Sequence, residues 1–146
     1  MKIRPLCTSV LLAALLSVGA VAQAQTRFEF DATPGYLSKQ VVPTHYGLRL
    51  DLDPDKDTFD GAADITLRVR QPVLAIELHA FQLSATSARL VTAGVARALQ
   101  VTPVAAAQTW RLAPTDSLPI PAGEHRLEIS YAGKVNVAGE GLFAAP

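Results

Sequence analysis

Cysteine is nearly absent from this chain: its 146 residues hold one, Cys7. No disulfide framework is possible, so stability has to come from an apolar core. Charge of one sign is also missing, with 13 Lys and Arg against 13 Asp and Glu. The arginines are scattered from Arg4 to Arg126. Nucleic-acid binding needs clustered positive charge and is excluded on that ground. The one long apolar run, Val10–Val21, is about a dozen residues and falls short of the roughly 20 that span a bilayer. An H-E-x-x-H zinc pattern, a G-x-S-x-G nucleophile elbow and a glycine-rich phosphate loop are all lacking.

The N-terminus reads as an export signal. Lys2 and Arg4 make a basic start, the apolar run follows, and Ala22-Gln23-Ala24 supplies the small-x-small cleavage pattern. Residues 1–24 are therefore expected to be a signal peptide, with Gln25 the first residue of an exported chain, periplasmic or extracellular. No membrane association is expected after cleavage. Cys7 precedes the apolar run, whereas a lipid-modified cysteine follows it. Cleavage removes Lys2, Arg4 and the sole cysteine, leaving a formal charge of −2. Residues 25–146 are long enough for one domain with a real core.

Alternation of period two dominates from Tyr46 onward. Tyr46, Leu48, Leu50 and Leu52 share one face, with Arg49, Asp51 and Asp53 opposite. Phe59, Ala63, Ile65, Leu67 and Val69 repeat the pattern, and so do His125, Leu127, Ile129 and Tyr131. Each run predicts a strand with one dry and one wet side. Shorter strands are expected over Val73–Leu78 and Ser84–Val91, with a turn around Gly94. Leu99–Thr102 and Thr109–Leu112 read as a hairpin across 103–108. Prolines at 114, 119 and 121 predict an irregular stretch before Gly123. Phe28 and Phe30 are placed in a short edge strand, with a turn at Pro34-Gly35. Short strands separated by Pro and Gly define an all-β fold, an antiparallel β-sandwich or barrel. Outside the signal no helix is predicted, the alanine tract 105–107 being too short.

His45, His79 and His125 are widely separated, and none has a second ligand at metal spacing. Asp53, Asp55, Asp57 and Asp64 fall at calcium-loop positions one, three, five and twelve, but Thr58 occupies the position that needs glycine. A Pro-containing turn between two strands accounts for the same residues. Ser38, Ser84, Ser87, Ser117 and Ser130 lack the context of a nucleophile. Trp110 with Tyr131 or Phe143 suggests a sugar platform, against which stands a plain core tryptophan. The reading assigns no catalytic, cofactor-binding or metal residue to this chain.

Several segments, in order, carry a resemblance. Val41-Val42-Pro43-Thr44-His45-Tyr46 fits a Val-x-Pro-x-x-Tyr motif, followed by Thr58-Phe59-Asp60-Gly61 and Ile76-Glu77-Leu78-His79-Ala80. Ile120-Pro121-Ala122-Gly123-Glu124, Tyr131-Ala132-Gly133-Lys134-Val135-Asn136 and Glu140-Gly141-Leu142-Phe143 complete the series. Across residues 37–143 the chain resembles the start of the aminopeptidase N family of zinc metallopeptidases. That resemblance implies a saddle-like β-sandwich over residues 25–146, which packs on a thermolysin-like zinc domain and helps close its substrate cavity. Zinc, the exopeptidase signature, the catalytic tyrosine and the residue holding the substrate amino terminus belong to later parts of such enzymes. No functional residue is therefore carried over. Two functions are expected as alternatives. One is a non-catalytic piece of an exported zinc aminopeptidase, meeting peptide substrate only beside a catalytic partner domain. The other is an independent exported module for peptide, sugar or protein. Without the catalytic partner, self-association through an uncovered surface is expected, with Leu142 and Phe143 as its candidates.

Overall fold

The computed structural model describes residues 28–136 and 142–143, so the export segment expected over 1–24 lies outside the described residues. By its internal contacts the chain divides into two units, Met1–Thr33 and Pro34–Pro146. In the first, residues 30–32 form a turn rather than the expected edge strand. The amides of Ala32 and Thr33 return to the carbonyl of Glu29, and the Thr33 hydroxyl donates to the same oxygen at 2.9 Å. Local closure of this kind leaves little backbone free for a sheet.

The second unit holds seven strands: β1 (Val41–Leu52), β2 (Thr58–Val69), β3 (Ile76–His79), β4 (Leu83–Thr92), β5 (Val95–Val104), β6 (Thr109–Pro114) and β7 (Gly123–Lys134). All pairings are antiparallel, in the order β1-β2-β7-β4-β5-β6-β3. The all-β antiparallel expectation holds, and the strands form one curled sheet. The curl sits in β5. Its residues Val95–Ala98 pair with β4, while Leu99–Val104 pair with β6. The half β5-β6-β3 thus folds back, and both halves contribute to one core.

That core follows the alternation. Ile65, Leu67 and Val69 of β2 meet Leu127 and Ile129 of β7 and Leu90 of β4; Leu99, Trp110, Leu112 and Ile76 come from the other half. Burying each large apolar side chain contributes about 1.5–3 kcal/mol. Ile120 is fully buried as well, although it lies between Pro119 and Pro121 in the irregular stretch. A single bridge with Val73 holds it there, through hydrogen bonds of 3.0 and 2.8 Å.

Turn chemistry explains the remaining differences from the expected boundaries. β1 begins at Val41 because it is an edge strand, where Pro43 is tolerated next to a bulge between Pro43 and His45. β4 and β5 join through Ala93-Gly94, both at positive φ (49° and 84°), the two-residue hairpin loop that matches strand twist. Ala105–Ala107 makes one 3-10 turn inside the β5–β6 loop, closed by Gln108 in the left-handed region.

Candidate functional site

The histidines stay apart. His45 on β1 is exposed opposite Thr66, and His79 on β3 is exposed opposite Thr109. His125 on β7 is buried opposite Leu67. Its Nε2 lies 2.9 Å from the Pro121 carbonyl, which only accepts, so Nε2 carries the proton and donates. On the neutral ring Nδ1 then accepts from the Thr92 hydroxyl at 2.6 Å. Both nitrogens are committed to holding the β4 end and the proline-rich stretch against β7. Among the described residues no group of three or more His, Cys, Asp or Glu is placed to hold a metal ion.

The acidic loop is a turn. Asp53 accepts the Asp55 amide at 3.1 Å on Oδ1 and the Lys56 ammonium at 2.8 Å on Oδ2, while its carbonyl accepts the Lys56 amide at 3.0 Å. The Lys56 contact first, and then the Asp55 amide, hold the Asp53 carboxyl below the ordinary carboxylate range. Asp64 is already on β2, paired with Gly47 and Glu128. Trp110 is buried in an edge-to-face pair with Tyr131, centroids 6.4 Å apart, and offers no open face to a sugar.

Two surfaces of the four-stranded half β1-β2-β7-β4 stand out. The outer one is a shallow groove floored by small residues, Gly47, Ala62, Ser87 and Ser130, and flanked by charges. Asp64 and Glu128 lie directly opposite one another there, a repulsive pairing. Arg126 offsets it by reaching Glu128 at 2.6 Å and Asp64 at 3.7 Å, and Arg89 of β4 pairs with Glu128 from the other side. Exposed pairs of this kind contribute at most about 1 kcal/mol each. The groove is thus lined by paired charges of both signs.

The inner surface departs from expectation. Tyr46, Leu48, Leu50 and Leu52 lie opposite Ile65, Ala63, Gly61 and Phe59 of β2, hence on the core side of the sheet. The folded-back half covers β2 and does not reach β1. The four side chains remain 53%, 66%, 46% and 53% exposed. The dry face expected for β1 is therefore corrected to an uncovered apolar row. Leu142 and Phe143, the docking candidates from sequence, form a smaller feature: Leu142 accepts the Asn136 amide at 2.8 Å, and Phe143 is half exposed. Alternation shows which side of a strand is apolar and carries no information on whether a second layer reaches it. That is why the β1 row was missed.

Away from this half, Arg97 pins the proline-rich stretch. Its guanidinium binds both oxygens of Asp116 at 2.6 and 3.1 Å and the Leu118 carbonyl at 3.0 Å. Asp116 also accepts the Leu118 amide at 3.0 Å. Arg97 above all, and then that amide, hold the Asp116 carboxyl below the ordinary range. This arrangement is structural.

The described residues thus form a curled antiparallel sheet with a charge-flanked outer groove and an exposed apolar row on its inner side. The family described as Peptidase M1 N-terminal domain matches residues 42–146, and the chain belongs to that family. Aminopeptidase N of Acetobacter pasteurianus is 29% identical over 144 residues, which span 96% of this chain and 38% of that protein. The fold is similar to a two-domain M1 zinc metallopeptidase variant solved with L-tryptophan, at TM-score 0.56 and 21% identity, covering 74% of this chain and 24% of that one. It is similar also to a variant of the Deinococcus radiodurans M1 zinc metallopeptidase solved with a Tyr-Ser-Ala substrate, at TM-score 0.55 and 22% identity, covering 78% and 25%. The chain thus spans well under half of the curated relative and about a quarter of the solved structures. It corresponds to the N-terminal, non-catalytic part of an aminopeptidase N-like protein.

Proposed function

We propose that this chain is the docking domain of an exported zinc aminopeptidase. It contributes a surface for a zinc-bearing catalytic domain and none of the hydrolytic chemistry. The family match over residues 42–146 carries the reading. The uncovered apolar row of β1 supports it, because contiguous exposed apolar surface on a soluble domain tends to mark an interface. Peptide substrate enters this account only through the assembled enzyme, with zinc held by the catalytic domain. Export rests on Lys2, Arg4, the apolar run and Ala22-Gln23-Ala24. The exported product is then a chain starting at Gln25, which intact-mass measurement of secreted or periplasmic material reads directly.

The docking claim is tested by titrating the chain into an M1 zinc catalytic polypeptide freed of its own N-terminal domain. Calorimetry should report binding, and Leu48→Ser with Leu50→Ser should weaken it. Absence of binding to the catalytic polypeptide, with the chain folded by circular dichroism, would favour the independent binding module.

A further inference from the structure

The two edges of the curled sheet are unlike. β3 is four residues long and follows Pro72, a short edge that invites little pairing. β1 is 12 residues long, and its protective features, Pro43 and the adjacent bulge, lie near its start. From Gly47 to Leu52 it has no proline, lysine or bulge, and no strand among the described residues pairs with its outer side. Such an edge presents a row of unpaired backbone donors and acceptors.

Charge decides what can pair there. On the outer face Asp51 lies directly opposite Asp60 of β2, two like charges in register. Arg49 lies opposite Ala62, and its nearest anion is Asp51 of its own strand at 3.6 Å, with both side chains highly exposed. Asp51 thus has a repulsive neighbour on one side, an open position on the other, and, among the described residues, only the exposed Arg49 of its own strand as a cation.

We propose that a second copy of this chain fills that position, β1 pairing antiparallel with the partner's β1 about a two-fold axis at Leu50. Leu50 then meets the partner's Leu50, and Leu48 meets the partner's Leu52, so the two apolar rows become adjacent on the inner face. On the outer face Arg49 meets the partner's Asp51, and the symmetry repeats the pair. The register is selected by charge. An axis at Arg49 sets that arginine against itself, and an axis at Asp51 does the same with the aspartate. Both are penalised. Only the axis at Leu50 turns both charges to use, and it supplies the cation that offsets the Asp51–Asp60 repulsion. The contact is isologous and closed, giving a dimer and not a fibre. It goes beyond docking to a catalytic domain and does not depend on it.

Sedimentation velocity on the whole chain over a concentration series, with circular dichroism to verify folding, tests the dimer. Arg49→Asp and Asp51→Arg should each weaken dimerisation by about tenfold or more, since each change removes two pairs and adds two repulsions. The double charge swap should restore it. In a Cys7→Ser background, Leu50→Cys should yield a disulfide-linked dimer on mild oxidation, and Leu48→Cys should not, because only position 50 faces itself. A strictly monomeric wild-type chain would overturn the proposal, as would single charge variants that dimerise unchanged, a double swap that fails to recover, or cross-linking through position 48 in place of 50.

Discussion

Gly61 is a position where a single added atom matters. A Cβ there would come within 2.5 Å of the Tyr131 ring, whose edge-on packing with Phe59 and Trp110 closes one end of the core. Gly61→Ala should destabilise the domain by about 1–3 kcal/mol, the usual range for forcing extra volume into packed surroundings, measured by urea unfolding. His125 tests a different force. His125→Leu keeps a buried apolar body but leaves the Pro121 carbonyl without its donor, a loss of about 1–3 kcal/mol. An unchanged unfolding midpoint would mean that the His125 bonds contribute nothing net.

Asp116 supplies the acid sensitivity of the fold. Arg97 and the Leu118 amide lower its pKa in the folded chain, so the unfolded chain binds the proton more readily. Its stabilising contribution is complete above the unfolded value, about pH 4, and is lost as pH falls through the lowered folded value. Asp53 acts in the same direction through Lys56. The urea midpoint should therefore fall as pH drops below about 4. Asp116→Asn should make that fall shallower, and an identical acid limb in the variant would contradict the assignment.

At the scale of elements, β1 and β2 look alike in sequence and differ in what covers them. Ile65→Ala opens a cavity in the core and should cost about 2–5 kcal/mol. Leu50→Thr on β1, half exposed on the same side of the sheet, should change stability by no more than about 0.5 kcal/mol. Urea titrations of the two variants compare them, and equal losses would mean that β1 is covered after all. The strands themselves were legible because β2 and β7 alternate cleanly and their turns carry Pro, Gly or Asp. The start of β5 was hidden because Val95-Ala96-Arg97-Ala98 has little β-propensity and relies on its pairing with β4. Ile120 was hidden because prolines on both sides read as loop, while burial there is decided by tertiary packing. The exposure of the β1 row was not legible, because coverage depends on how far the other half of the sheet folds back.

For the whole molecule, the family assignment and the exposed apolar row support the proposed docking role. Asp64, Glu128, Arg126 and Arg89 neutralise one another across the outer groove, His125 is committed to Thr92 and Pro121, and the apolar row of β1 awaits a covering surface. The most direct test is hydrolysis of an aminoacyl amide by the purified chain alone, with zinc supplied and bound metal measured on the same sample. No turnover and no stoichiometric zinc are predicted. Zinc-dependent turnover that disappears on replacing His45, His79 or His125 would contradict the account.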